Sequence, residues 1–265
     1  MSIIGPERNN RMSLTPQDLT RIVYSLLAFI LAGSIHEFAH AFSAWTLGDT
    51  TAKAGGRLTL NPMAHIDLLG TIFFPLVNAF TGAPVLGWMK PVPVNPVNFR
   101  HQSRDHAVTS FAGPFSNLLQ ASFAVIVFFS LSFLPASGGG SFLRYLQLFF
   151  YYYFTVNIGL FLFNLLPVPP LDGGWILRHF LPDRLKDHFD NIYRFGIIIL
   201  YAIVLLGLTR FIFAPFYKFI FFLFSSLYRT HYLLLYLPFL SLAAIALFFM
   251  RDEVRLFIHR MRHRG

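Results

Sequence analysis

Long apolar runs separated by short polar stretches are the first constraint this sequence places on any fold. They fall at about 19–47, 68–83, 108–134, 143–166, 191–208, 211–227 and 232–250. A helix needs about 20 residues to cross the hydrocarbon of a bilayer, and the first, third and fourth runs reach that length. The 68–83 run is short and contains Pro75, so a re-entrant or interfacial course competes with a crossing. Only 12% of the 265 residues are charged, and mean hydropathy is +0.56. Soluble domains carry about a quarter charged residues. A chain this poor in charge cannot cover a water-facing surface, whereas a lipid-facing surface is free to be Leu, Ile and Phe. The expectation is an all-α polytopic membrane protein with about five to seven membrane segments, multi-pass and integral to the plasma membrane. The first run follows Arg8 and Arg11 as a signal peptide would, but no small-residue cleavage site follows it and it is read as a retained helix.

The formal charge is +9, with the cations mainly between apolar runs and at the C-terminus. That placement fits cytoplasmic loops and anionic lipid heads rather than nucleic acid. Residues 84–107 hold Lys90, Arg100 and Arg104, and residues 167–194 hold Arg178, Arg184, Lys186 and Arg194, whereas the turn at 135–142 holds no cation. The positive-inside rule then sends the third run outward and the fourth back inward. Asp172 falls at the cytoplasmic end of the fourth run, and the first helix must end on the same side if His36 is to meet it. There is no cysteine. Disulfides and thiolate ligands are thereby excluded, and any metal site must use His, Asp or Glu.

Two segments between the runs are irregular. Residues 55–60, Gly-Gly-Arg-Leu-Thr-Leu, alternate like a short strand and stop at Asn61-Pro62. Such a strand offers an edge to which an extended peptide can add. Residues 91–96, Pro-Val-Pro-Val-Asn-Pro, must be extended, because each residue before a proline is pushed out of the helical region. Two regions result: a core over 1–190, and additional membrane helices with a basic tail over 191–265.

The chemistry lies inside the apolar runs. His36 and His40 are four apart on a helix, share one face and can bind one metal ion. Glu37 sits beside the first ligand, able to reach a metal-bound water without ligating. Zinc lowers the pKa of such a water to about 7, so that Glu37 can take its proton and later deliver one to a leaving amine. A chance match among ten His is the plain alternative. It is disfavoured because a charged group at membrane depth costs about 2.5–3.5 kcal/mol and is functional by default. A catalytic zinc takes three protein ligands and one open position. Asp172 is the best third ligand: it follows Pro167, Pro169 and Pro170, which stop the fourth helix, and precedes Gly173 and Gly174, which let the backbone bend inward. A solvated Asp in an ordinary exit loop is the alternative.

Together, His36-Glu37-x-x-His40, the downstream Asn164-x-x-Pro167 and Leu171-Asp172-Gly173 resemble the site-2 protease family of intramembrane zinc metalloproteases. Ala112-Gly113-Pro114-Phe115-Ser116-Asn117 resembles that family's middle core helix. Residues 87–96, from Gly87 to Pro96, resemble its small bacterial branch without PDZ or CBS domains. The resemblance covers about residues 20–190. It implies a three-helix catalytic core, one Zn2+ per chain on His36, His40 and Asp172, and Glu37 as the acid/base. The substrates it implies are transmembrane proteins or peptides. Self-association is left open. Asn117 is a candidate catalytic residue, holding the substrate backbone or an oxyanion, and Asn164 a weaker one; for each, hydrogen bonding between helices is the alternative. His65 is expected to be structural, and His101 and His106 to be solvated in a basic loop. Two other classes compete, an ion or metal transporter and a noncatalytic scaffold that binds membrane helices. Neither has a use for Glu37.

Overall fold

The structure, a computed structural model, describes residues 15–81, 87–132 and 140–230. Arg8, Arg11, most of the 135–142 turn, the 232–250 run and the basic tail lie outside the described residues. Helix α1 (Pro16–Leu47) starts where the sequence provides a cap. Thr15 Oγ1 accepts from the Asp18 amide, the Asp18 carboxylate accepts from the Thr15 amide, and Pro16 fills the first helical position. A short helix α2 (Thr51–Ala54), a 3-10 turn (Pro62–Ala64) and a π-helical turn (Leu68–Phe73) follow, the last running into α3 (Phe74–Thr81). Two long helices come next, α4 (Gln102–Ser132) and α5 (Gly140–Asn164). Beyond them lie α6 (Asp172–Phe180), α7 (Asp183–Tyr193), α8 (Gly196–Leu205) and α9 (Leu208–Thr230).

Three described helices, α1, α4 and α5, are long and apolar enough to cross a membrane. The pair α7 and α8 adds a fourth only if it is one span broken by its 69° bend. The π turn and α3 together have 6 and 8 residues, about 21 Å of helix at 1.5 Å per residue, too short for a 30 Å hydrocarbon layer. The five to seven segments expected from the sequence are therefore matched by three to four among the described residues.

Helices α1, α4 and α5 pack on one another pairwise, and α6 packs on α4. Where they meet, small residues let the backbones approach: Ala28 and Ala32 of α1 and Ala121 and Ala124 of α4 are fully buried with Val125, Phe129, Phe154 and Ile158. Successive layers give the directions. Ala32 and Tyr153 meet Gln120, then His36 and Asn157 meet Asn117, then His40 meets Thr109. As numbers rise along α1 and α5 they fall along α4, so α1 and α5 run parallel and α4 against them. Both therefore end on one side, as the meeting of His36 with Asp172 requires.

No strand occurs among the described residues, so the short strand expected at 55–60 is not found. The chain turns at Gly55 and Gly56, and its hydrogen bonds close locally: Arg57 N–H donates to Ala52 O, and His65 Nε2 to Thr59 O. The extended run is instead the proline-rich one. Alternate amides of Trp88, Lys90 and Val92 donate to Gly70 O at 3.0 Å, His65 O at 2.8 Å and a carboxylate oxygen of Glu37 at 2.8 Å. Pro91 and Pro93, lacking N–H, leave Val92 as the one donor between them.

Candidate metal centre

His36 and His40 lie one turn apart on α1, where the helix passes the start of α4. Both rings press on Gly113: a β-carbon there would overlap His40 Nε2 and come within 2.6 Å of His36 Nε2. His40 Nδ1 lies 2.7 Å from the Thr109 carbonyl, which only accepts, so Nδ1 carries the proton and Nε2 is free to ligate. His36 Nδ1 lies 2.6 Å from Asn117 Oδ1, and its Nε2 likewise faces the centre.

Asp172 arrives from α6. Its carboxylate stands 3.3 Å from each Nε2, and the two Nε2 atoms are 3.0 Å apart. Tetrahedral zinc with bonds of about 2.0–2.2 Å separates its ligand atoms by roughly 3.3–3.5 Å. The spacing and donor set therefore fit a three-ligand zinc centre, and all three atoms lie within 4.8 Å of one another. His36 and Asp172 keep only 9% and 17% of their side-chain surface exposed, a depth at which a carboxylate needs a partner of opposite charge, and a cation held by all three side chains would supply it.

The position of Asp172 is built by the chain around it. After Asn164 the backbone folds through tight turns, Val168 N–H to Leu166 O and Leu171 N–H to Val168 O. Gly173 then lies on the end of α5, with no room for a β-carbon beside the Leu165 and Leu166 carbonyls. Trp175 is sandwiched by His106 at 4.4 Å and Tyr193 at 4.7 Å between ring centroids. Arg178 makes a two-pronged bond to Asp190 of α7, both contacts 2.6 Å, and His179 Nδ1 meets Ser103 Oγ of α4 at 3.0 Å. Four contacts thus fix α6 around its first residue.

Glu37 is nearly buried, stays outside the ligand trio, and accepts the Val92 amide. Asn117 is fully buried behind His36, with Oδ1 on that imidazole and Nδ2 on Asn157 Oδ1. These bonds tie α4 to α1 and α5. Asn164 Nδ2 donates within its own helix to Leu160 O. His65 is fully buried as a loop clamp. His106 lies in α4 rather than in a loop and is half-buried, its ring packed on Trp175. Sequence reasoning missed the Val92 amide, the Thr109 carbonyl, Gly113, Asn157 and the aromatic wall. Only the glycine, next to Pro114 inside a helical run, left a readable sign.

A model of Peptidase family M50 matches residues 136–206. A protein of Bacillus subtilis (strain 168) named "Putative zinc metalloprotease YwhC" is 37% identical over 200 residues, covering 74% of this chain and 87% of the relative. Three mycobacterial proteins named "Putative zinc metalloprotease Rip2" also match. The one from Mycolicibacterium smegmatis is 28% identical, over 61% of this chain and 59% of the relative. The one from Mycobacterium tuberculosis (strain H37Rv) is 27% identical, over 69% and 67%. No solved structure matches. Identity at that level over most of a relative's length, with a matching family model across the Asp172 loop, means that the chain belongs to peptidase family M50, the site-2 protease family of zinc metalloproteases.

Proposed function

We propose that this protein is an intramembrane zinc metalloprotease that hydrolyses peptide bonds in or near transmembrane helices of other proteins. The observation that carries the reading is the convergence of His36, His40 and Asp172, within 4.8 Å, between helices long and apolar enough to span. Zinc, when bound, supplies a Lewis acid that polarises a carbonyl and acidifies a water. His36 and His40 present unprotonated Nε2 atoms, because both Nδ1 protons are committed to α4. Glu37 is the general base and acid: one carboxylate oxygen is held by the Val92 amide, and among the described residues nothing donates to the other. Residues 1–190 form the catalytic core and residues 191–265 an addition to it, in a multi-pass protein of the plasma membrane.

Replacing Glu37 by Gln, with the full chain co-expressed beside single-span candidate substrates, tests the reading. Cleavage should stop while bound zinc stays at one per chain. A transporter would keep moving its ion, and a scaffold would be unchanged. Undiminished cleavage would overturn the assignment of Glu37, and absence of zinc from the parent would overturn the site.

A further inference from the structure

The metal-facing nitrogen of His36 is governed from α5, two side chains away. A neutral imidazole carries one proton, and only with it on Nδ1 does Nε2 offer a lone pair to a metal. His40 takes that tautomer directly from a backbone carbonyl, that of Thr109. His36 instead faces the Asn117 side chain, and an amide can turn over and present NH2 in place of oxygen. Turned over, it would draw the proton to Nε2 and oppose the metal.

What prevents the turn is Asn157. Its Nδ2 donates to the Tyr153 carbonyl at 2.9 Å, which can only accept, so its Oδ1 must face Asn117. That oxygen takes Asn117 Nδ2 at 2.9 Å, which leaves Asn117 Oδ1 for His36. Both asparagines are fully buried, so no bulk water can substitute. The one further acceptor near Asn117 Nδ2, Ala32 O at 3.5 Å, is at the limit of a hydrogen bond. We propose that Asn157 is a positioning residue for the metal centre: through Asn117 it transmits the one-way polarity of the Tyr153 carbonyl to His36 and fixes its metal-binding tautomer. This rests on His36 being a zinc ligand. It concerns one ligand only, because His40 does not use the relay.

The test uses the full-length protein in detergent, with Zn2+ affinity from chelator competition and the visible spectrum of Co2+ bound in its place. Asn157→Leu should weaken Zn2+ binding by about 10–100-fold, the usual effect of losing a partner behind a ligand, and should shift the Co2+ bands. Asn157→Asp should restore both, because a protonated carboxyl can accept from Asn117 and donate to Tyr153. Ser122→Ala removes a hydroxyl of α4 that bonds only within its own helix, to Leu118 O, and should change neither. If Asn157→Leu fails to accumulate, Asn157→Ser, too short to reach Asn117, is expected to give the same loss. Parent affinity and an unshifted spectrum in the Leu or Ser variant would overturn the relay, as would an equal loss in Ser122→Ala. His36→Ala separates the two levels. If it binds Zn2+ as the parent does, the metal reading itself fails.

Discussion

The amide of Val92 donates to the Glu37 carboxylate at 2.8 Å, across 55 residues of sequence. A proline-rich segment thereby touches the residue proposed as the acid/base. Val92 lies between Pro91 and Pro93, so the segment is already extended and Val92→Pro removes little but the donor. Without it Glu37 loses its orientation. Because general acid–base catalysis contributes about 10²–10⁴-fold and misplacement by about 1 Å can cost 10²-fold, peptidase activity should fall on the order of 100-fold with zinc retained. Val92→Ala, which keeps the amide, should stay close to the parent. Cleavage rate and metal content, measured together on both variants, check this.

Asp49 anchors the far end of the same segment. It is fully buried just past α1 and accepts the Thr51 amide and hydroxyl, the Asn98 side-chain amide and the Asn95 amide. Burial alone would raise its pKa, but the hydrogen bonds from Thr51, Asn98 and Asn95 outweigh it and hold the carboxyl below its usual range. A carboxylate with a depressed folded-state pKa stabilises fully above its unfolded value, about 3.9, and that contribution is lost as pH falls through the folded value. Asp49→Ala should therefore lower stability by about 3 kcal/mol at neutral pH. The gap from the parent should narrow below about pH 4. Thermal unfolding in detergent near neutrality and in acid measures both.

The residues proposed as metal ligands were readable because the signals that mark them are local. The His36–His40 spacing is a property of one helical turn, and three prolines before two glycines mark where a helix must stop and bend. The three long helices followed from run length alone. The groups holding the ligands were hidden for the opposite reason. Thr109 acts through a backbone carbonyl, which any residue type has, and Val92 through a backbone amide, which every residue but proline has. His106 read as solvated because it follows charged residues, and only the fold brings Trp175, far along the chain, against its ring. The alternation at 55–60 misled because a strand needs a partner, and here the side chain of His65 takes the Thr59 carbonyl first.

Gly113 is where α4 yields to the two imidazoles. Gly113→Ala should reduce zinc affinity on the order of 100-fold, since its methyl group would occupy the space of both Nε2 atoms. Alanine is about 1 kcal/mol better than glycine inside a helix, which offsets part of the cost of the Nδ1 hydrogen bonds lost as the rings swing, so the metal-free variant should unfold only slightly earlier than the metal-free parent. A calorimetric melt of the stripped proteins beside a zinc titration distinguishes this local block from general damage.

At Gly173 the obstacle differs in kind, and so does the expected outcome. Around Gly113 the neighbours are imidazoles that can swing. A methyl at 173 would overlap the carbonyls of Leu165 and Leu166, which are backbone and cannot. The start of α6 must then move off the end of α5, taking Asp172 with it. Gly173→Ala should therefore lose both zinc affinity and stability, the latter by about 1–3 kcal/mol as overpacking usually costs. Gly174→Ala is the control: its methyl would meet the Pro169 nitrogen at 3.2 Å and Val168 C at 3.3 Å, tight contacts that a shift of a few tenths of an ångström relieves. Severity should thus fall from 173 to 174, although the two glycines are adjacent and read alike in the sequence. An equal loss at both positions would mean that Asp172 is aimed by the flexibility of the glycine pair rather than by the contact of Gly173 with α5.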